Sequence, residues 1–235
     1  MSSPLPVPLF QLLATALSSR PVPGRRFILG LVGAPGAGKS TVAQQLADAL
    51  PGRALVVPMD GYHLANAELA RLDRAGRKGA EDTFDSAGYV ALLERLRRRP
   101  AGETVYAPAY LRELEEGVAG AIAVPEEIEI IITEGNYLLL DHGHWARVRP
   151  LLDAAWYVDV DGDLRRQRLA ARHMRFGRSA EAAQAWVQLT DEPNARLIEA
   201  SRARADLVLR AAPAPAAGCQ GQDYGADSLF FTESP

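Results

Sequence analysis

Residues 33–41 read GAPGAGKST, in which Gly33, Gly38, Lys39 and Ser40 satisfy the pattern G-x-x-x-x-G-K-[ST]. Glycines at those spacings let backbone N–H groups close around phosphate oxygens, and the helix that follows offers its positive end. The lysine ammonium reaches terminal phosphates and the hydroxyl can ligate Mg²⁺. Gly33, Ala34, Pro35, Gly36, Ala37, Gly38, Lys39, Ser40 and Thr41 form the expected nucleotide-binding set, with ATP and Mg²⁺ as cofactors. Composition sets Lys39 apart: of 26 basic residues only Lys39 and Lys78 are lysines, so this chain writes its ordinary cations as arginine. A compact ammonium on a flexible stem does what a planar guanidinium does not. Lys78, in AGRKGAEDTFD, is therefore a candidate contact to a substrate or a transferring phosphate, against the plain alternative of a solvated loop lysine.

Two acids end aliphatic runs. ALVVPMD stops at Asp60 and EIIITEG at Glu134. An acid at the end of a buried strand either caps a turn or helix or faces a ligand, and Glu134 is a candidate to position Mg²⁺. A third group lies in DLRRQRLAARHMRFGR, residues 163–178, where Arg165, Arg168, Arg172 and Arg175 recur at helical spacings of three and four. Asp161 is the expected partner of Arg165. The segment offers no acids for the rest, which suits an anionic ligand, with a solvated helix face as the alternative. Arg168 and Arg172 are the favoured contacts. Asn194, in DEPNARL, is a further candidate without an assigned contact, and Trp145, Trp156 and Trp186 are expected in the core.

The elements that must hold these residues alternate. A helix near 8–18 precedes the strand RFILGLVG, a helix from Ser40 to Leu50 and the strand ALVVPM. A polar region then runs to about Asp85, followed by the helix AGYVALLERLRR and a loop around GETVYAPAYLRELEEG. The strand IEIIITEG, a short helical region near 143–152, the strand AAWYVDV, the arginine helix, a helix near 193–204 and the strand ADLVLR complete the pattern. Continuous aliphatic strands separated by helices predict an α/β fold with a parallel sheet of about five strands covered on both faces. Both acids then fall on the carboxyl edge with the phosphate cradle, where open α/β sheets bind ligands. Residues 1–25 are expected as a helical segment packed on the core and 26–210 as the main domain. Residues 211–235, rich in Pro, Gly and Ala, are expected as a flexible tail whose closing LFF can dock.

The 235 residues are 48% hydrophobic and 23% charged, with net charge −3 and pI near 5.9, so no global basic field invites nucleic acid or an anionic membrane. A single cysteine, Cys219, excludes an intramolecular disulfide and a multi-cysteine metal site. PLFQLLATAL lacks a basic flank and is too short to span a bilayer, so a cytoplasmic location is expected.

GAPGAGKST, MDGYH, RKGAEDTFD, VYAPAY and TEGNYLLL, in this order, resemble the phosphoribulokinase/uridine kinase family of P-loop kinases over about residues 27–210. MDGYHLAN and RKG with DTFD are most similar to type I pantothenate kinases and to bacterial nucleoside or fructose-transport-associated kinase-like proteins. The resemblance implies a P-loop NTPase fold with an arginine-rich lid helix, and a γ-phosphoryl transfer from ATP to a hydroxyl of a small metabolite. In it Asp60 is the base that accepts the hydroxyl proton, and Lys39 and Arg172 complete the catalytic set with Arg168 on the nucleotide phosphates. Asp85 binds substrate hydroxyls, with a helix N-cap as an equal alternative. Tyr62, His63, Lys78, Tyr110, Arg112 and Asn136 join Asp60 around the acceptor, and a packing role is the alternative for His63. The Asp and His that uridine kinases carry after their tyrosine are missing here, which argues against uridine. A nucleotide-dependent switch or ATPase without a small acceptor is the competing function. Monomer and homodimer both stay open.

Overall fold

In the computed structural model, residues 9–20, 23–212 and 230–234 are described. The main sheet has the order β2-β5-β1-β6-β7-β8, from β1 (Phe27–Val32), β2 (Ala54–Val56), β5 (Ile130–Gly135), β6 (Ala154–Asp159), β7 (Leu207–Ala212) and β8 (Phe230–Ser234). The first five strands run parallel and β8 is antiparallel to β7. Every residue of β1 and β5 is buried, which is why these strands read as unbroken aliphatic runs.

Alternate side chains feed two cores. Ile28, Val32 and Ile131 pack with Leu93 and Leu96 of α4 (Ser86–Arg98) on one face. Leu29, Leu31, Ile130 and Ile132 pack on the other with Val42 and Leu46 of α2 (Lys39–Asp48), and with Ala14 and Leu17 of α1 (Leu9–Ser18). The remaining helices are α3 (Asn66–Arg71), α5 (Gly162–Arg175), α6 (Ala180–Trp186) and α7 (Glu192–Ala200). A π-helical turn, Val187–Asp191, joins the last two.

Two readings of the sequence need correction. The stretch around GETVYAPAYLRELEEG is not a loop but most of an antiparallel hairpin, β3 (Val105–Leu111) with β4 (Glu116–Val124), separate from the main sheet. Its strands are exposed over much of their length, so they lack the buried aliphatic signature of the others. The hairpin lies on the turn that carries Asp60: a Cβ at Gly61 would stand 2.4 Å from the Pro108 carbonyl oxygen, and one at Gly117 2.3 Å from the Gly61 oxygen. Only glycine permits that approach. Second, the segment from 211 onward is not uniformly a tail, because Ala211–Ala212 extend β7 and Phe230–Ser234 pair with it as β8. Residues 213–229, with Cys219, lie outside the described residues. Among the described residues no helix is long and apolar enough to cross a membrane.

One buried cation ties the lower edge together. Arg26 is fully buried and donates from Nε to the Ile128 oxygen at 2.9 Å, from Nη1 to the Leu96 oxygen at 3.0 Å and from Nη2 to the Pro125 oxygen at 2.9 Å. It thereby joins the end of α4, the end of β4 and the approach to β5. Replacing it by Met removes three hydrogen bonds and leaves the Ile128 oxygen without a donor, while the Leu96 and Pro125 oxygens keep the amides of Arg99 and Ile128; Arg26→Met is expected to lose roughly 2 kcal/mol of stability. Urea unfolding measures the loss; a midpoint within error of wild type would show that these carbonyls find other partners.

Candidate active site

The loop between β1 and α2 turns through Gly36 (φ 82°) and Gly38 (φ 91°), left-handed values that suit glycine. Gly38 caps α2 without any side-chain hydrogen bond to the first turn, so the amide end of the helix is left for a ligand. Lys39 bends back over this loop. Its Nζ donates to the oxygens of Gly33 at 2.9 Å and Ala34 at 3.2 Å and to Asn136 Oδ1 at 2.8 Å. Burial pushes its pKa down, the charges of Glu134 and Asp60 pull it back up, and Arg172 lowers it further.

Ser40 Oγ donates to Glu134 Oε1 at 2.8 Å across the head of α2. Glu134 is buried at the end of β5, and burial, then the neighbouring Asp60 charge, raise its pKa against the opposing pull of Lys39 and the Ser40 hydrogen bond. This hydroxyl and carboxylate fit a hard cation that takes its remaining ligands from phosphate oxygens and water, as Mg²⁺ does. Among the described residues no cluster of three or more His, Cys, Asp or Glu offers a fuller protein cage.

Asp60 sits in the 3₁₀ turn Met59–Tyr62 that follows β2, and its carboxylate has no hydrogen-bond or ion-pair partner among the described residues. It lines a cavity of about 450 Å³ shared with Pro35, Gly36, Gly38, Lys39, Ser40 and Thr41. Glu134 and Asn136 complete that side. The opposite side is aromatic: the His63 ring lies 4.0 Å from Phe84 and 4.6 Å from Tyr110, centroid to centroid. His63 Nδ1 donates to the Asp60 carbonyl at 2.7 Å. Burial holds the His63 pKa below its ordinary value despite the pull of Asp60, so the ring is neutral. Lys78 and Arg112 also line the cavity on this side.

The lid of the cavity comes from α5. Asp161 does not pair with Arg165; its Oδ1 caps the helix by accepting from the amides of Asp163 and Leu164, both at 3.0 Å. Arg165 is buried and pairs with Glu192 instead. Arg168 and Arg172 face the cavity, whereas Arg175 is exposed outside its lining. Burial and the nearby Arg112 guanidinium both lower the Arg172 pKa.

Tyr62 and Asp85 are not brought to the cavity. Tyr62 packs edge-on against Tyr89 at 5.6 Å, and Asp85 Oδ1 accepts the Gly88 amide at 2.8 Å as the N-cap of α4. Trp145 and Trp156 are buried as expected, but Trp186 lines the cavity with Arg178 stacked on it at 3.8 Å. Asn194 lines it too, its Nδ2 at 3.5 Å from the Gly79 oxygen. Sequence reasoning missed Asp191, on the π-helical turn, which accepts from His173 Nε2 at 2.8 Å beside the same cavity. Nothing in the local pattern announces that turn.

A glycine-rich loop between a parallel strand and a helix, with an acid at the neighbouring strand end, defines a P-loop nucleotide-binding protein. The sequence profile of the Phosphoribulokinase / Uridine kinase family matches residues 28–216, and the chain belongs to that family. A protein of Schizosaccharomyces pombe described as a candidate uridine kinase is 34% identical over 79% of this chain and 83% of its own. The uncharacterized protein YggC of Escherichia coli is 31% identical over 86% of this chain and 84% of its own. Among solved structures, a candidate fructose transport system kinase from Silicibacter sp. TM1040 is 38% identical with TM-score 0.77, covering 85% of this chain and 98% of that one.

The neutral His63 fixes the sign of one pH dependence. Because its folded pKa lies below the unfolded value of 6.5, unfolding takes up a proton as pH falls beneath 6.5; stability is whole above that value and declines below it. His63→Gln is expected to remove part of that acid-side decline, read from urea unfolding at pH 7.5 and 5.5. An unchanged difference between the two pH values would show that His63 is not held neutral.

Proposed function

We propose that this protein is a kinase that transfers the γ-phosphoryl group of ATP to a hydroxyl of a small metabolite bound between Asp60 and the His63–Phe84–Tyr110 wall. The observation that carries the reading is the unpartnered Asp60 carboxylate, which opens on the same cavity as the phosphate cradle. Phosphoryl transfer needs little covalent help from a protein, so positioning and charge neutralisation account for most of the catalysis. The acceptor oxygen forms its bond to phosphorus as the bond to ADP breaks, and Asp60 takes the hydroxyl proton. Lys39 and Arg172 neutralise charge on the transferring group from opposite walls, and Arg168 holds the nucleotide phosphates. Ser40 and Glu134 would hold Mg²⁺, which supplies further neutralisation of phosphate charge. The lid from α5 excludes water that would otherwise hydrolyse ATP.

A nucleotide switch needs a phosphate cradle but has no use for an unpartnered acid facing the aromatic side of the same cavity. Asp60→Asn is expected to keep nucleotide affinity while lowering acceptor-dependent ADP release by about 10²-fold or more. Release measured by a coupled assay beside nucleotide titration separates the two quantities. Near-normal transfer in the variant would remove Asp60 as the base.

A further inference from the structure

We propose that Asp191 and Glu192 are positioning residues for the nucleotide phosphates: together they grip the lid helix α5 at His173 and Arg165 and so fix the aim of Arg168 and Arg172. The inference rests on the reading, given above, of those two arginines as phosphate contacts.

Arg168 and Arg172 line the cavity, half-buried, with neither hydrogen bond nor ion pair among the described residues. The helix that carries them therefore sets where they point. That helix is held on two sides. On one, it presses on the phosphate loop, where a Cβ at Gly36 would lie 2.9 Å from Leu169 Cγ and 3.1 Å from the Arg165 carbonyl oxygen. On the other, two consecutive acids meet it where the π-helical turn passes into α7. Asp191 accepts from His173 Nε2 at 2.8 Å, while Glu192 accepts from Arg165 Nη2 and lies 3.5 Å from Arg166 Nη1. The two grips are about two helical turns apart, and Arg168 and Arg172 stand between them.

Stability alone does not account for these contacts. The side chains of Arg165, His173 and Asp191 are only 4%, 15% and 10% exposed. Ionic groups taken that far out of water recover little more than their desolvation cost, so well-packed apolar residues would hold the helix about as firmly. A hydrogen-bonded, charged contact adds a fixed orientation. Asp191 also acts on Arg172 through space: burial and Arg112 oppose the guanidinium charge, and among the acids Asp191 supports it most. An acid on the wall of a phosphate site weakens anion binding by its charge alone, so its place there calls for a role of this kind. Single π-helical turns recur at functional sites for such purposes.

Calorimetric titration of Mg²⁺ with the non-hydrolysable ATP analogue AMP-PNP reads the aim of the arginines without an acceptor. Asp191→Ala and His173→Ala, which break one bond from its two ends, and Glu192→Ala are each expected to raise the Kd about tenfold. Asp191→Asn and Glu192→Gln keep an oxygen for the same donors and are expected to stay within about threefold of wild type. In a protein already carrying Arg168→Gln and Arg172→Gln, Asp191→Ala is expected to change the Kd less than about twofold, because residues acting as one unit are not additive. Thermal unfolding follows the fold of each variant, and His173→Ala decides the question if Asp191→Ala does not fold. Unchanged or tighter binding in the variants that break the His173 bond, or a tenfold loss that persists without the two arginines, would overturn the inference. Wild-type affinity in the double arginine variant would overturn it together with the phosphate role of Arg168 and Arg172. The expected binding changes without acceptor-dependent ADP release would uphold the inference while contradicting the kinase reading.

Discussion

The phosphate cradle depends on keeping Lys39 charged where water is largely excluded. Burial disfavours both the ammonium of Lys39 and the carboxylate of Glu134, and each is the other's main electrostatic support. The two charges support each other through space rather than as a contact ion pair, and such an arrangement is costly to assemble and costly to break. It holds here because the leftover hydrogen-bonding capacity is met: Lys39 reaches two loop carbonyls and Asn136, and Glu134 accepts from Ser40. The sheet makes this possible by placing β1 beside β5 in register, Leu31 against Glu134 and Val32 against Gly135. An arriving phosphate offers the ammonium a better partner than the carbonyls it now holds.

Around that pair the molecule builds one cavity with two sides. The phosphate cradle and α5 make the first, with Gly36 packed so tightly on α5 that a Cβ would lie 2.9 Å from Leu169 Cγ. The hairpin, the Asp60 turn and the stretch holding Lys78 make the second. Asp60 and Arg172 stand where the two meet, each perturbing Lys39 from its own side. The hairpin's intimate contact with Gly61 ties the aromatic wall to the turn that carries Asp60, so the geometry of one sets the geometry of the other.

The strands of the main sheet were legible because burial on both faces leaves an unmistakable aliphatic run, and the cradle because its glycines and lysine have few other uses. Placement of Asp60, Glu134, Lys39 and Ser40 on one edge follows from strand order alone. The hairpin escaped because most of its residues are half-buried or exposed, with only Val105, Ala107 and Val124 in the core, and periodicity does not display its contact with the Asp60 turn. Asp85 shows a different limit: an acid before a helix caps it and also fits a hydroxyl-binding motif, and only coordinates separate the two roles. Trp186 has the composition of a core residue, yet it lines the cavity with the Arg178 guanidinium stacked on its ring, a contact between residues eight apart that no apolar pattern displays.

Calorimetric titration of Mg²⁺ and ADP into wild type and Lys39→Ala, with thermal unfolding of both proteins as a control for folding, tests the central claim most directly. The account predicts saturable one-to-one binding to wild type and an affinity at least about tenfold weaker in the variant, whose fold persists. Equal affinity in the two proteins would contradict it, because the ammonium would then be buried for some purpose other than meeting a phosphate.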